Sequence, residues 1–175
     1  MENERIEALK KLLAISINAG LEKEALFAKY LITGKKSSLD DLDVQEINSL
    51  VSAFIDRGFW GKALSLCRKY TIFISQDNAT RLAKICKEKG HYGLVIQAII
   101  YLPNLVSKDL IEEFITVYLD FIKESSKERI INEENFRDRG SSLIDEIAAF
   151  AVAAGREITV AEIDKITDIL IFLKR

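Results

Sequence analysis

Glycines at positions 20, 58 and 90 sit in matching surroundings, and that match restricts the fold more than any other feature of the chain. Eight positions before each stands a leucine, Leu12, Leu50 or Leu82, with Ile15, Ala53 and Ile85 three residues further on. After the glycine, Ala25, Ala63 and Val95 share one position and Leu26, Leu64 and Ile96 the next. Ala28, Leu66 and Ala98 share another, and Ile32, Tyr70 and Leu102 close the unit. The physical content is an amphipathic helix, a glycine able to take the left-handed conformation that ends it, and a second helix whose small residues permit close approach. One such pair leaves an apolar face uncovered, and stacking pairs covers it. The pattern predicts an all-α fold, an antiparallel helix-hairpin array or α-α superhelix of repeat-like units. The longer first interval holds a polar insert, 33–43, that breaks the period without breaking the pattern.

Helix start signals support this division. Asp43 with Glu46 forms a capping box ahead of Ile47, Leu50, Val51, Phe54 and Ile55, and Leu42 and Ile47 are placed as a hydrophobic staple. Pro103 stops the sixth helix. Ser107 caps a seventh, whose apolar stripe is Ile111, Phe114, Ile115, Tyr118 and Ile122. An eighth helix over 142–154 ends at Gly155, with Leu143, Ile144, Ile147, Ala148 and Ala151 as its apolar face. A ninth opens with a Thr159/Glu162 capping box. The segment from Lys123 to Gly140 is rich in charge and poor in apolar anchors. The expected organisation is therefore a hairpin array over 1–124, a charged linker over 125–140, and a C-terminal helical pair over 141–175 packed on the array.

Composition limits function more than it defines it. A formal net charge of -2, with 49% hydrophobic and 30% charged residues, describes a globular chain with no bulk attraction to nucleic acid or anionic lipid. The acidic N-terminus resembles neither a secretory signal nor a transit peptide, and the longest uncharged stretch, 91–107, is interrupted by Gln97, Pro103 and Asn104, so no membrane span is expected. Cys67 and Cys86 read as small buried thiols, which places the chain in the cytoplasm or another reducing compartment. His91 is the sole histidine and has no nucleophile motif near it. No phosphate loop, dinucleotide fingerprint or metal-ligand spacing is present, so the reading is a non-enzyme without catalytic, cofactor or metal residues.

The second unit, Asn48-Ser49-Leu50-Val51-Ser52-Ala53-Phe54-Ile55-Asp56-Arg57-Gly58 followed by Lys62-Ala63-Leu64-Ser65-Leu66, resembles a pentatricopeptide repeat. The first and third units are weaker copies. Tetratricopeptide repeats share the glycine and the small residues, so the resemblance, over roughly 5–102, is to degenerate repeats of either kind. Pentatricopeptide proteins read single-stranded RNA one base per repeat, using the residue before the leucine that opens the first helix's stripe. Here those residues are Lys11, Ser49 and Arg81, of which only Ser49 is of the family's usual type. Lys11 and Arg81 are placed to meet phosphate instead, with Lys84 and Lys87 beside Arg81.

The leading expectation is a protein-interaction or scaffold module that binds a partner peptide or helix, and single-stranded RNA binding is the alternative. Phe59-Trp60 and His91-Tyr92 follow two of the glycines, which brings them to one edge of stacked hairpins where a partner can dock. At the C-terminus, Ile163, Ile166, Ile169, Leu170, Ile171, Phe172 and Leu173 spread around most of the helix circumference. Ile171 and Phe172 are accordingly expected to lie on a self-association or partner-docking surface.

Overall fold

The structure, a computed structural model, describes residues 1–33, 43–127 and 143–173. Among these residues every regular element is helical. In order they are α1 (Glu2–Asn18), α2 (Glu22–Thr33), α3 (Val44–Asp56), α4 (Trp60–Lys69), a short 3-10 turn (Thr71–Phe73), α5 (Gln76–Glu88), α6 (Tyr92–Tyr101), α7 (Lys108–Lys127), α8 (Leu143–Ala153) and α9 (Val160–Leu173). The described helices form successive hairpins, followed in the chain by a C-terminal helical pair. None of the described helices is long and apolar enough to cross a membrane. The chain forms two compact units, Met1–Leu94 and Val95–Arg175, and the division falls inside α6. Much of the expected insert and linker, 34–42 and 128–140, lies outside the described residues, as does Leu42 of the expected staple. The helix before the linker is longer than expected, because α7 continues through Lys127 with Ser125 and Ser126 buried.

The glycine turns share one hydrogen-bond pattern. At Gly20 (φ 69°), Gly58 (φ 80°), Gly90 (φ 76°) and Gly155 (φ 84°) the backbone is left-handed. The residue after each glycine donates its N–H to the carbonyl five residues back: Leu21 to Ser16, Phe59 to Phe54, His91 to Cys86 and Arg156 to Ala151, at 2.8–3.0 Å. Each glycine donates to the carbonyl three residues back. This is the Schellman arrangement, which satisfies carbonyls that a helix end otherwise leaves open.

In the first unit α1 packs on α2, α3 contacts α2, α4 and α5, and α4 contacts α5. Leu50, Val51 and Phe54 of α3 are buried, as are Ala63 and Leu66 of α4 and Leu82 and Ala83 of α5. Leu12, which aligns with Leu50 and Leu82, is instead 42% exposed, and Ile15 is 65% exposed. The matched sequence positions therefore differ in environment in the first hairpin. A polar tie also joins the helices. The Asn48 amide donates to the Val44 and Phe73 carbonyls at 2.8 and 2.7 Å and accepts from the Ser75 N–H at 2.8 Å. Asn78 donates to the Asn48 carbonyl at 2.9 Å.

Gly20 also touches the next hairpin, since a Cβ placed there would lie 2.8 Å from Cε1 of Phe59, whose ring meets Phe54 edge-on at 6.3 Å. At Gly58 an added Cβ meets nothing nearer than 3.9 Å. Gly58→Ala is thus expected to lower stability by about 1–2 kcal/mol through backbone strain alone. Gly20→Ala adds the displacement of Phe59 and is expected to lose roughly 1–3 kcal/mol more. Urea unfolding of both variants checks the order, and equal losses would show that Phe59 yields freely.

In the second unit α7 packs on α8 and α9, which also contact each other. Phe114, Tyr118 and Phe150 form an aromatic core with ring centroids 5.4–6.2 Å apart, and the Tyr118 hydroxyl donates to Glu146 Oε2 at 2.7 Å. The face of α8 differs from the expected one. Leu143, Ile147, Phe150 and Ala151 are buried, while Ile144 is 44% exposed. The expected capping boxes are present: Glu46 N–H to Asp43 Oδ1 at 2.9 Å with the reciprocal bond at 3.0 Å, and Thr159 N–H to Glu162 Oε1 at 2.9 Å with Glu162 N–H to Thr159 Oγ1 at 3.2 Å. Ser107 caps α7 through the Leu110 N–H.

Candidate functional site

The residues that follow Gly58 and Gly90 meet because both turns have the same form. Each turn places the next side chain at the entry of a second helix, so Phe59 caps α4, Trp60 opens it, and His91 precedes α6. The rings of Trp60 and His91 lie 5.3 Å apart, tilted by 47°. Phe59, Trp60, Lys62, Ser65, His91 and Glu22 line an open cleft of about 500 Å³. Gly61 belongs to the same wall, and a Cβ added there would meet nothing within 4 Å, so this glycine keeps the cleft open without being required by the backbone.

The cleft combines apolar and polar side chains. Lys62, Ser65 and His91 are exposed, whereas Phe59 and Trp60 are half-buried, which gives an apolar wall with a polar rim. Phe59 also seals the contact to Gly20. The Trp60 Nε1 is buried without a hydrogen-bond partner among the described residues, an uncompensated desolvation of about 1–3 kcal/mol. Tyr92, half-buried at the first position of α6, is not among the cleft residues.

No protein-family model matches the chain, and no curated protein or solved structure matches it either.

The other expected residues are not among those that line the cleft. Lys11, Ser49 and Lys84 are exposed and Lys87 is half-buried. Arg81 is engaged within the fold, donating to Asp56 Oδ1 at 2.7 Å and to Ser52 Oγ at 2.6 Å. Its charge is therefore already met by a carboxylate. Ile171 and Phe172 are 48% and 41% exposed near the end of α9, while Ile166 and Ile169 of the same helix are buried. Among the described residues no group of three or more His, Cys, Asp or Glu is placed to hold a metal ion. Burial pushes the Cys67 thiol up to about 12 and the Cys86 thiol to about 11, so both stay protonated and unreactive near neutral pH.

Two features are not legible in the sequence. In the second unit Ile99, Ile100, Pro103, Ala148, Phe150 and Val152 line an apolar groove of about 550 Å³. Nothing in the local sequence pairs the α6 end with α8. The other is an ion cluster of Arg156 with Glu112 and Glu162, whose first two members stand far apart in the chain.

Proposed function

We propose that the chain is a protein-interaction module that takes a partner peptide in the cleft framed by Trp60 and His91. The carrying observation is the cleft itself, with an aromatic wall from two successive glycine turns, a rim of Lys62 and Ser65, and Gly61 leaving room for an incoming side chain. Tryptophan is among the residues enriched at the energetic hot spots of protein interfaces. An RNA reading draws less support, because Arg81, the centre of the basic group, is paired with Asp56.

Trp60 is the sole tryptophan, so its fluorescence reports on the cleft directly. Peptides selected from a displayed library against the folded protein are expected to shift that emission on titration. Gly61→Leu adds a side chain whose Cβ meets nothing within 4 Å and should weaken the selected peptides tenfold or more, roughly the effect of losing one anchoring contact. Peptides that bind this variant as well as the parent would place the docking site elsewhere, and an emission shift produced by single-stranded RNA at low salt would favour the RNA reading.

A further inference from the structure

The stripe of α1 that is open to solvent corresponds to the stripe through which α3 and α5 join the first unit. Counting back from the glycines, Ala8, Leu12, Ile15 and Ala19 of the first hairpin align with Glu46, Leu50, Ala53 and Arg57 of the second and Asn78, Leu82, Ile85 and Lys89 of the third. In the later hairpins this stripe faces a preceding helix. Arg57 Nε donates to Asn18 Oδ1 at the end of α1 at 2.6 Å, and Asn78 donates to the Asn48 carbonyl of α3 at 2.9 Å. Leu50 and Leu82 are 1% and 2% exposed there. In α1 the stripe is wholly apolar yet open, with Leu12 42% and Ile15 65% exposed.

We infer that a second copy of this chain covers the stripe, α1 against α1 in antiparallel fashion about a two-fold axis. Three observations select that occupant. The spacing 8, 12, 15, 19 is palindromic, so an axis midway between Leu12 and Ile15 sets Leu12 of one copy against Ile15 of the other and Ala8 against Ala19. That is the isologous self-complementarity a dimer needs, in the alternating three- and four-residue spacing of a coiled-coil seam. The small residues at both ends let the helix backbones approach. Charge permits the arrangement as well: Lys11, which borders the stripe, comes level with Ser16 of the second copy and not with another lysine, and antiparallel helices oppose their dipoles favourably. The patch continues an interface the first unit already uses between its own helices.

Light scattering across a dilution series tests this directly. The parent chain is expected to pass from monomer to dimer with a dissociation constant on the order of 10 µM, as suits a contact through one helix. Ile15→Glu should remain monomeric throughout with an unchanged circular dichroism spectrum, because the side chain is already exposed in the protomer. A second readout does not depend on that variant. Mixing Leu12→Cys and Ile15→Cys chains under mild oxidation should give the crosslinked heterodimer about tenfold faster than either alone, because like positions are offset by about 4.5 Å along the antiparallel pair. A parent chain monomeric at about 100 µM overturns the inference. So does a dimer that survives Ile15→Glu, or one that Phe172→Asp dissolves while Ile15→Glu does not.

Discussion

Phe150→Ala is expected to lower the unfolding free energy by about 3–5 kcal/mol, the range for removing a buried aromatic ring. Phe150 is fully buried in α8, and its ring meets Phe114 edge-on at 5.7 Å and Tyr118 at 6.2 Å. Truncation would leave a cavity beside both rings and loosen the position of Tyr118, whose hydroxyl is held by Glu146. Collapse of neighbours into that space is limited, because Ile147 and Ala151 are already fully buried around it. Val152→Ala is the matched control: two positions away and 69% exposed, it should change stability by no more than about 0.5 kcal/mol. Chemical denaturation followed by circular dichroism measures both. A Phe150→Ala loss below about 1 kcal/mol would mean that the aromatic cluster is not the core of the second unit.

The glycine turns and helix caps were legible because their physics is local. A left-handed residue after a helix favours glycine whatever surrounds it, and Gly20, Gly58, Gly90 and Gly155 all adopt that conformation. The Asp43/Glu46 and Thr159/Glu162 boxes span only three residues, so spacing alone predicts them. Phase around a uniformly apolar helix is not local. In α8, Leu-Ile-Asp-Glu-Ile-Ala-Ala-Phe-Ala-Val-Ala is apolar on nearly every side, so periodicity cannot decide between Ile144 and Phe150. The neighbours decide, and they bury Phe150. Leu12 shows the same limit, since its pattern matches Leu50 and Leu82 but its burial depends on what is stacked against it.

For the candidate cleft, sequence brought Phe59, Trp60 and His91 to one edge because equal turns carry equal offsets. It did not separate Tyr92, one residue beyond His91, since the direction of a side chain at a helix entry is set by packing. The role of Arg81 was equally hidden. Its partner Asp56 lies on the preceding first helix, and only the crossing of α3 and α5 makes the guanidinium part of an ion pair. Lys84 is exposed and Lys87 half-buried, so a basic helix in the sequence is a less uniform surface in the fold.

Arg156→Met is expected to remove about 2–3 kcal/mol from the second unit and to flatten its response to acid. The Schellman turn at Gly155 aims this arginine between two carboxylates. Nε and Nη2 donate to Glu112 at 2.6 and 2.8 Å, while Nη1 and Nη2 donate to Glu162 at 2.8 Å each. The Glu162 side chain is only 11% exposed, so without the arginine its charge is left largely desolvated, whereas Glu112 at 43% is screened by water and contributes less. Hydrogen bonds from Arg156 hold both carboxyls below their usual range against the opposing effect of desolvation. The stability they provide is therefore fully present above the unfolded value of 4.5 and is lost as pH falls through their lower folded values. The guanidinium is shifted upward, so its own share is complete throughout the acid and neutral range and adds no slope there. Urea midpoints measured from about pH 6 to about pH 3 should consequently fall more steeply for the parent than for Arg156→Met, the two curves converging at the acid end. Parallel curves would show that Glu112 and Glu162 gain nothing from the arginine in the folded chain, and the cluster would then be a geometric coincidence of α7, the Gly155 turn and α9.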